Sequence, residues 1–214
     1  EANDPRCVEV LDHLPRYLAK DGVVAVGEVG FDSMTGDEDK AFTRQLGLAD
    51  EFDLPVLVHT PHRDKEAGTR RTLDLVEASG LAPGRVLVDH LNEVTVGQVA
   101  ETGCWMGFSI YPDTKMDEHR MVRILQDRGL DRVLVNSAAD WGRSDPLKTV
   151  RTGAAMLAAG FDDDDVDRVL WRNPVEFFGQ SGRLLLSGED PAATDAGATY
   201  EGNSILRGPR PDGT

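Results

Sequence analysis

Four side chains that could bind a metal ion each follow an apolar stretch of the chain. They are Glu28 in VVAVGEVGFD, His59 in LPVLVH, His90 in RVLVDH and Asp140 in RVLVNSAAD. Mixed histidine and carboxylate ligands suit Zn²⁺, Mn²⁺ or a similar divalent ion such as Mg²⁺. A metal-bound water becomes hydroxide near neutral pH, and an adjacent aspartate can take up its proton. We therefore predict a hydrolytic metal centre, with Asp140 both as a ligand and as the proton acceptor.

The spacing of these residues predicts how they meet. Glu28 and His59 are 31 residues apart, and so are His59 and His90. That interval is about the length of one strand and one crossover helix. Asp140 follows 50 residues after His90, because the intervening strand CWMGFSIY ends without such a ligand. Ligands at the carboxyl ends of successive strands converge only in a barrel or an open parallel sheet.

The remaining elements agree with that arrangement. Five apolar, strand-like stretches alternate with helical patterns, which predicts an α/β fold with a parallel sheet. A helix is predicted over 5–20 with a break at Pro15, and Thr69 is a possible helix cap. The last helix is expected to stop before Asn173-Pro174. We predict a barrel-type domain over 1–186 and a mostly disordered tail over 187–214, which is rich in Gly, Pro, Ala and Asp.

Each candidate also has an ordinary structural explanation. Glu28 could be a salt-bridged or exposed carboxylate, His59 a hydrogen-bonded core histidine, and Asp140 a helix cap. Asp89 should point to the other side of its strand from His90 and form hydrogen bonds there. The regular spacing of Glu28, His59 and His90 favours the metal-ligand interpretation.

A second group of residues could bind an anionic substrate. These residues follow the strand ends and are His62, Arg63, Lys65 and Lys115. A solvated basic loop is the alternative for Arg63 and Lys65. The net charge of −15 disfavours generic binding of DNA, so a small anionic substrate is the preferred partner.

The composition and the two cysteines indicate in which cellular compartment the protein is expected. No apolar stretch approaches the length of a membrane span, and no signal peptide is recognisable. The two cysteines, Cys7 and Cys104, have no zinc-finger spacing, and Cys104 is expected to be buried. We predict a cytoplasmic protein with reduced thiols. Because the chain begins at Glu1 rather than Met, we expect an N-terminal truncation.

Several motifs together resemble the TatD-type metal-dependent hydrolases of the amidohydrolase superfamily. They are GEVGFD (27–32), QLGLA leading into LPVLVH (45–59), VDH (88–90) and RVLVNSAAD (132–140). LVHTPHRDK, YPDTK, VNSAADWG and NPVEFFGQSG resemble a subgroup of predicted TIM-barrel hydrolases. The resemblance covers about residues 1–186.

The resemblance implies a (β/α)8 TIM barrel, of which this chain would hold strands 4–8, the last five βα units. It implies two divalent metal ions in the complete protein. One would be bound by Glu28, His59 and His90, with Glu28 bridging to the other. The second ion would require Asp140, Glu28 and an H-x-H pair, which this sequence does not contain.

The preferred function is therefore metal-dependent hydrolysis of an ester bond, with a phosphoester as one option. A non-catalytic scaffold or binding protein derived from the same barrel is the first alternative. Amide hydrolysis or deamination at the same centre is the second.

Overall fold

The structure is a computed structural model that describes residues 2–113, 115–137 and 144–186. Asp140 and the predicted tail over 187–214 lie outside these described residues. The strands are β1 (Val26–Gly30), β2 (Val56–His59), β3 (Val86–Asp89), β4 (Trp105–Ile110) and β5 (Val133–Ser137). The α-helices are α1 (Cys7–His13), α2 (Pro15–Leu18), α3 (Gly36–Glu51), α4 (Lys65–Ser79), α5 (Val96–Ala100), α6 (Glu118–Arg128), α7 (Lys148–Ala158), α8 (Asp163–Asp167) and α9 (Asn173–Gly179).

The strands form one sheet in chain order, β1-β2-β3-β4-β5. The pairs β1–β2, β2–β3 and β3–β4 are parallel. In the first pair Val26 lies opposite Val56 and Gly30 opposite His59, but the register shifts between Val26 and Val29. The parallel α/β organisation predicted from the sequence is confirmed.

The chain divides into two compact units, and the division falls within β4. In the first unit, residues 2–106 and 174–186, helix α3 packs on β1, and its Phe42 is buried. The core of this unit includes Phe31, Val56 and Val88. Cys104 is buried here, as predicted.

The second unit comprises the described residues of 107–173. Its core includes Phe108, Met121, Leu125 and Val169. Helix α6 packs on α7, and α7 packs on β5. A buried ion pair joins the two helices, with Nζ of Lys148 lying 2.7 Å from a carboxylate oxygen of Glu118.

Several helix ends follow local sequence signals. Pro15 begins α2, where its missing N–H costs no hydrogen bond. Thr35 and Glu38 form a capping box at the start of α3. The expectation that Thr69 caps a helix is wrong, because α4 already begins at Lys65 and Thr69 is buried within it.

The predicted stop at Asn173-Pro174 is also wrong. A π-helical turn over Arg168–Arg172 leads directly into α9, so Pro174 lies in a first helical turn, where proline is tolerated. Asn173 is buried, and its Nδ2 donates to the carbonyl oxygens of Leu130 and Val133 at 2.8 Å each. This tertiary contact keeps the chain helical at a position where the local sequence predicts the end of a helix.

Across the described ranges, no helix combines the length and the apolar character needed to cross a membrane.

Candidate metal centre

Glu28, His59 and His90 come together from three neighbouring strands: Glu28 lies within β1, His59 ends β2 and His90 directly follows β3. Oε1 of Glu28 lies 2.8 Å from Nε2 of His90 and 3.4 Å from Nδ1 of His59. The two imidazole rings meet edge to face, with centroids 4.9 Å apart. One carboxylate oxygen and one nitrogen from each ring all lie within 4.8 Å of one another. Ligand–metal bonds of about 2.1 Å in a tetrahedral site place ligand atoms about 3.4 Å apart, so this donor set fits a zinc-sized ion.

The charge state of the centre is governed by the same contacts. The hydrogen bond from His59, followed by that from His90, holds the pKa of the Glu28 carboxyl well below its usual range, and partial burial opposes this shift. Glu28 is therefore ionised at neutral pH, as a metal ligand must be. Its side chain is 43% exposed, so the centre is open to small molecules from solvent.

Backbone geometry brings the three residues this close. Gly30 has a φ of 141°, and a Cβ atom there would lie 2.1 Å from the carbonyl oxygen of His59. Only glycine allows β1 to approach β2 so closely at this point. His90 follows β3 in the left-handed region with φ 62°, which costs a non-glycine residue about 1–2 kcal/mol. Such conformations are concentrated at functional sites, and here one occurs at the histidine that contacts Glu28.

Polar residues after β2 connect the centre to α4. Thr60 is buried, and its hydroxyl donates to the carbonyl oxygen of Asp89 at 2.7 Å. Nζ of Lys65 donates to the Thr60 hydroxyl at 3.1 Å. Asp89 is buried as well and accepts the backbone N–H of His90. His62 and Arg63 are exposed in the loop between β2 and α4.

Lys115 and Asp140 are the remaining sequence candidates. Lys115 lies in the second unit, where its Nζ is 3.1 Å from the Tyr111 hydroxyl and 4.4 Å from the centre of the same ring. Tyr111 is buried. Asp140 lies outside the described residues, so its assignments as metal ligand and proton acceptor stay predictions.

Sequence reasoning did not single out Glu38 and Arg71, whose side chains bind the loop directly after β1. The spacing of Thr35 and Glu38 fits the capping-box pattern T-x-x-E, which is a local signal that could have identified Glu38. Arg71 carries no such signal, because its partners are 32 and 37 residues earlier in the chain.

A parallel α/β sheet with a carboxylate and two imidazoles at the ends of adjacent strands defines a class of metal-binding α/β proteins. Within it, the chain belongs to the TatD related DNase family, whose model matches residues 1–179. This is a family of metal-dependent hydrolases with barrel folds, as the sequence motifs predicted.

Individual relatives support this assignment. A metal-dependent hydrolase of Methanocaldococcus jannaschii, described as uncharacterized, is 27% identical over 177 residues, covering 81% of this chain and 69% of that protein. A TatD-like protein of Archaeoglobus fulgidus superposes with a TM-score of 0.63 and 25% identity, and the match covers 81% of this chain and 66% of that one. The phosphotriesterase homology protein of Escherichia coli, at 17% identity and a TM-score of 0.59, shares the fold over 83% of this chain and 71% of its own. The chain thus spans about two thirds of the lengths of these relatives.

Proposed function

We propose that this protein hydrolyses phosphoester bonds with the help of a divalent metal ion. The observation that carries the proposal is the convergence of Glu28, His59 and His90, whose ligand atoms lie within 4.8 Å of one another. Membership of a family described as TatD related DNase supports a phosphoester as the bond that is cleaved.

Each residue has a defined task in this proposal. Glu28, His59 and His90 would hold one ion. The family pattern assigns Glu28 and Asp140 to a second ion, which would also need the H-x-H pair that this sequence does not contain. Bound by Glu28, His59 and His90, the first ion would supply Lewis-acid activation of the scissile bond and of water near neutral pH. Asp140 accepts a proton from the attacking water through a carboxylate oxygen. The hydrogen bonds from His59 and His90 keep Glu28 ionised until an ion binds, and binding of the ion would displace the protons that they share.

The substrate is proposed to be a small phosphoester. Lys65 donates to the neutral hydroxyl of Thr60, directly after the strand that carries His59. With the exposed Arg63 and His62 it supplies cationic and hydrogen-bonding groups beside that strand end, and Lys115 is a further candidate contact. A net charge of −15 repels long polyanions more strongly than it repels a small ester.

Metal analysis and a phosphodiesterase assay test the proposal together. We expect the purified protein to bind Zn²⁺ or Mn²⁺ and to hydrolyse bis(p-nitrophenyl) phosphate only when the metal is present. His59→Ala and Glu28→Gln should each reduce metal affinity by at least about tenfold, since each removes one of three ligands. His119→Ala removes an exposed imidazole on α6 and serves as the control, with unchanged metal binding.

Different results of these experiments would overturn different parts of the proposal. Absence of bound metal in the wild-type protein would overturn the metal centre and favour a scaffold role. Metal binding with turnover of amides but not of phosphodiesters would overturn only the phosphoester assignment.

A further inference from the structure

The loop over residues 31–35 connects β1, which carries Glu28, with helix α3. Phe31 at its start is fully buried and meets Phe42 of α3 edge to face, with centroids 5.5 Å apart. Met34 has a left-handed backbone with φ 59°. Such a conformation persists only when surrounding contacts hold it in place.

Glu38 holds this loop from the first turn of α3. Its side chain accepts the backbone N–H groups of Asp32 at 2.9 Å, Ser33 at 3.0 Å and Thr35 at 2.6 Å. The residue is only 8% exposed. A buried carboxylate that receives three backbone donors fixes those peptide groups in one arrangement.

Arg71 holds the same loop from α4. Its Nη1 donates to the carbonyl oxygen of Met34 at 2.6 Å, and its Nη2 forms an ion pair with Asp39. The guanidinium also lies 4.8 Å from the centre of the Phe31 ring, within range of a cation–π interaction. The planar guanidinium makes all three contacts at once, which the single ammonium of a lysine could not reproduce.

Glu28 lies in a part of β1 where the strand ladder is irregular. The register between β1 and β2 shifts between Val26 and Val29, and Glu28 lies within that irregular stretch. Its position therefore depends on the paired residues around it, Val26, Val29 and Gly30. Gly30 packs against the carbonyl oxygen of His59. Gly30 leads directly into the loop that Glu38 and Arg71 hold.

We infer that Glu38 and Arg71 are positioning residues for the metal centre, which fix the loop over 31–35 and thereby the carboxylate of Glu28. The inference rests on the proposed metal-dependent function but assigns two residues that bind neither metal nor substrate. This positioning role explains why the buried carboxylate of Glu38 and the guanidinium of Arg71 both bind a loop that contains no proposed metal ligand.

The test measures zinc affinity of the full chain, by competition with a chromophoric chelator, well below the melting temperature of every variant. Glu38→Gln and Arg71→Met should each weaken zinc binding by about tenfold, the usual effect of losing a group that orients a ligand. Asp37→Asn and Arg70→Met remove the same charges from exposed neighbours and should leave the affinity unchanged. If Glu38→Gln does not fold, Arg71→Met carries the test, because its side chain is one third exposed.

A double-mutant cycle distinguishes positioning from a general loss of stability. In a Glu28→Gln background the loop has no ligand left to position, so adding Glu38→Gln should cause no further loss of affinity. The same tenfold penalty in both backgrounds would overturn the inference, as would wild-type affinity in Glu38→Gln and Arg71→Met. A wild-type protein that binds no zinc would overturn the proposed function as well, and so would be distinguishable from failure of this inference alone.

Discussion

Glu28, His59 and His90 are polar side chains held at short distances on an apolar scaffold. Val26, Val58 and Val88, which precede them on β1, β2 and β3, are buried, whereas their own side chains are 43%, 32% and 19% exposed. The centre thus lies at the boundary between the core and solvent. There a carboxylate can remain ionised and still be reached by a metal ion, because it avoids the full cost of burying a charge.

Gly30 is expected to be indispensable to this geometry. Gly30→Ala would place a Cβ atom 2.1 Å from the carbonyl oxygen of His59 at a φ of 141°, so the end of β1 must move away from β2. We expect a loss of about 1–3 kcal/mol in the free energy of unfolding, together with weaker zinc binding. Urea denaturation and zinc titration measure the two effects.

Gly36→Ala is the matched control for this substitution. Gly36 begins α3, and nothing lies within 4 Å of the Cβ position there. Equal stability and zinc affinity in the two alanine variants would contradict the role assigned to Gly30.

At the level of secondary-structure elements, helices α3 and α4 both contact the loop that follows β1. The first turn of α3 contributes Glu38 and α4 contributes Arg71, and both bind the loop over 31–35. Gly68 of α4 also allows close approach of Pro61, two residues after His59, since a Cβ atom there would lie 2.1 Å from the proline ring. Helix α4 therefore contacts the loops that follow both β1 and β2.

The carboxyl of Glu38 should make stability depend on pH. Burial raises the pKa of Glu38, but the hydrogen bonds from the backbone of Ser33, Thr35 and Asp32 lower it by more than burial raises it. The pKa therefore lies below its usual value. A depressed pKa in the folded state gives stabilisation that is complete above the unfolded pKa of about 4.3 and is lost as the pH falls through the folded pKa.

We therefore expect Glu38→Gln to be less stable than the wild type by about 1–3 kcal/mol at neutral pH, with the difference shrinking in acid below about pH 4. Urea denaturation at several pH values measures this. Asp37→Asn, exposed in the same turn, should change the free energy of unfolding by less than about 0.5 kcal/mol. If the difference in free energy of unfolding between the wild type and Glu38→Gln does not change with pH, the role assigned to the carboxylate is wrong.

For the molecule as a whole, the net charge opposes the approach of polyanions. The chain carries 38 acidic and 23 basic Lys and Arg side chains, a net charge of −15. Proteins that bind DNA through phosphate contacts lose affinity steeply as salt rises, because bound counterions are released. A strongly acidic protein should behave in the opposite way, since salt screens its repulsion of the duplex.

We expect weak binding of a fluorescently labelled duplex at about 20 mM salt, and binding that is no weaker at about 200 mM, measured by anisotropy. Hydrolysis of bis(p-nitrophenyl) phosphate, a singly charged ester, should depend less on salt and serves as the comparison. A steep loss of duplex affinity with rising salt would instead indicate a local basic surface and a nucleic-acid substrate.

The alternation of strands and helices could be predicted from the sequence, and so could the family and the three residues that converge. These features depend on local properties, namely apolar periodicity, the 31-residue interval and short motifs around each strand end. Parallel strands connected by similar crossover helices bring their carboxyl ends to one edge, so the positions of Glu28, His59 and His90 could be inferred without coordinates.

How these residues are held in place could not be predicted, because it depends on contacts between distant parts of the chain. The contacts of Arg71 with Met34 and of Asn173 with Val133 join residues that are 37 and 40 positions apart. No local pattern encodes such pairs, because they depend on the packing of whole elements. The same reason explains the continuation of the chain into α9 at Asn173-Pro174, where a buried tertiary hydrogen bond overrides the local signal for a helix end.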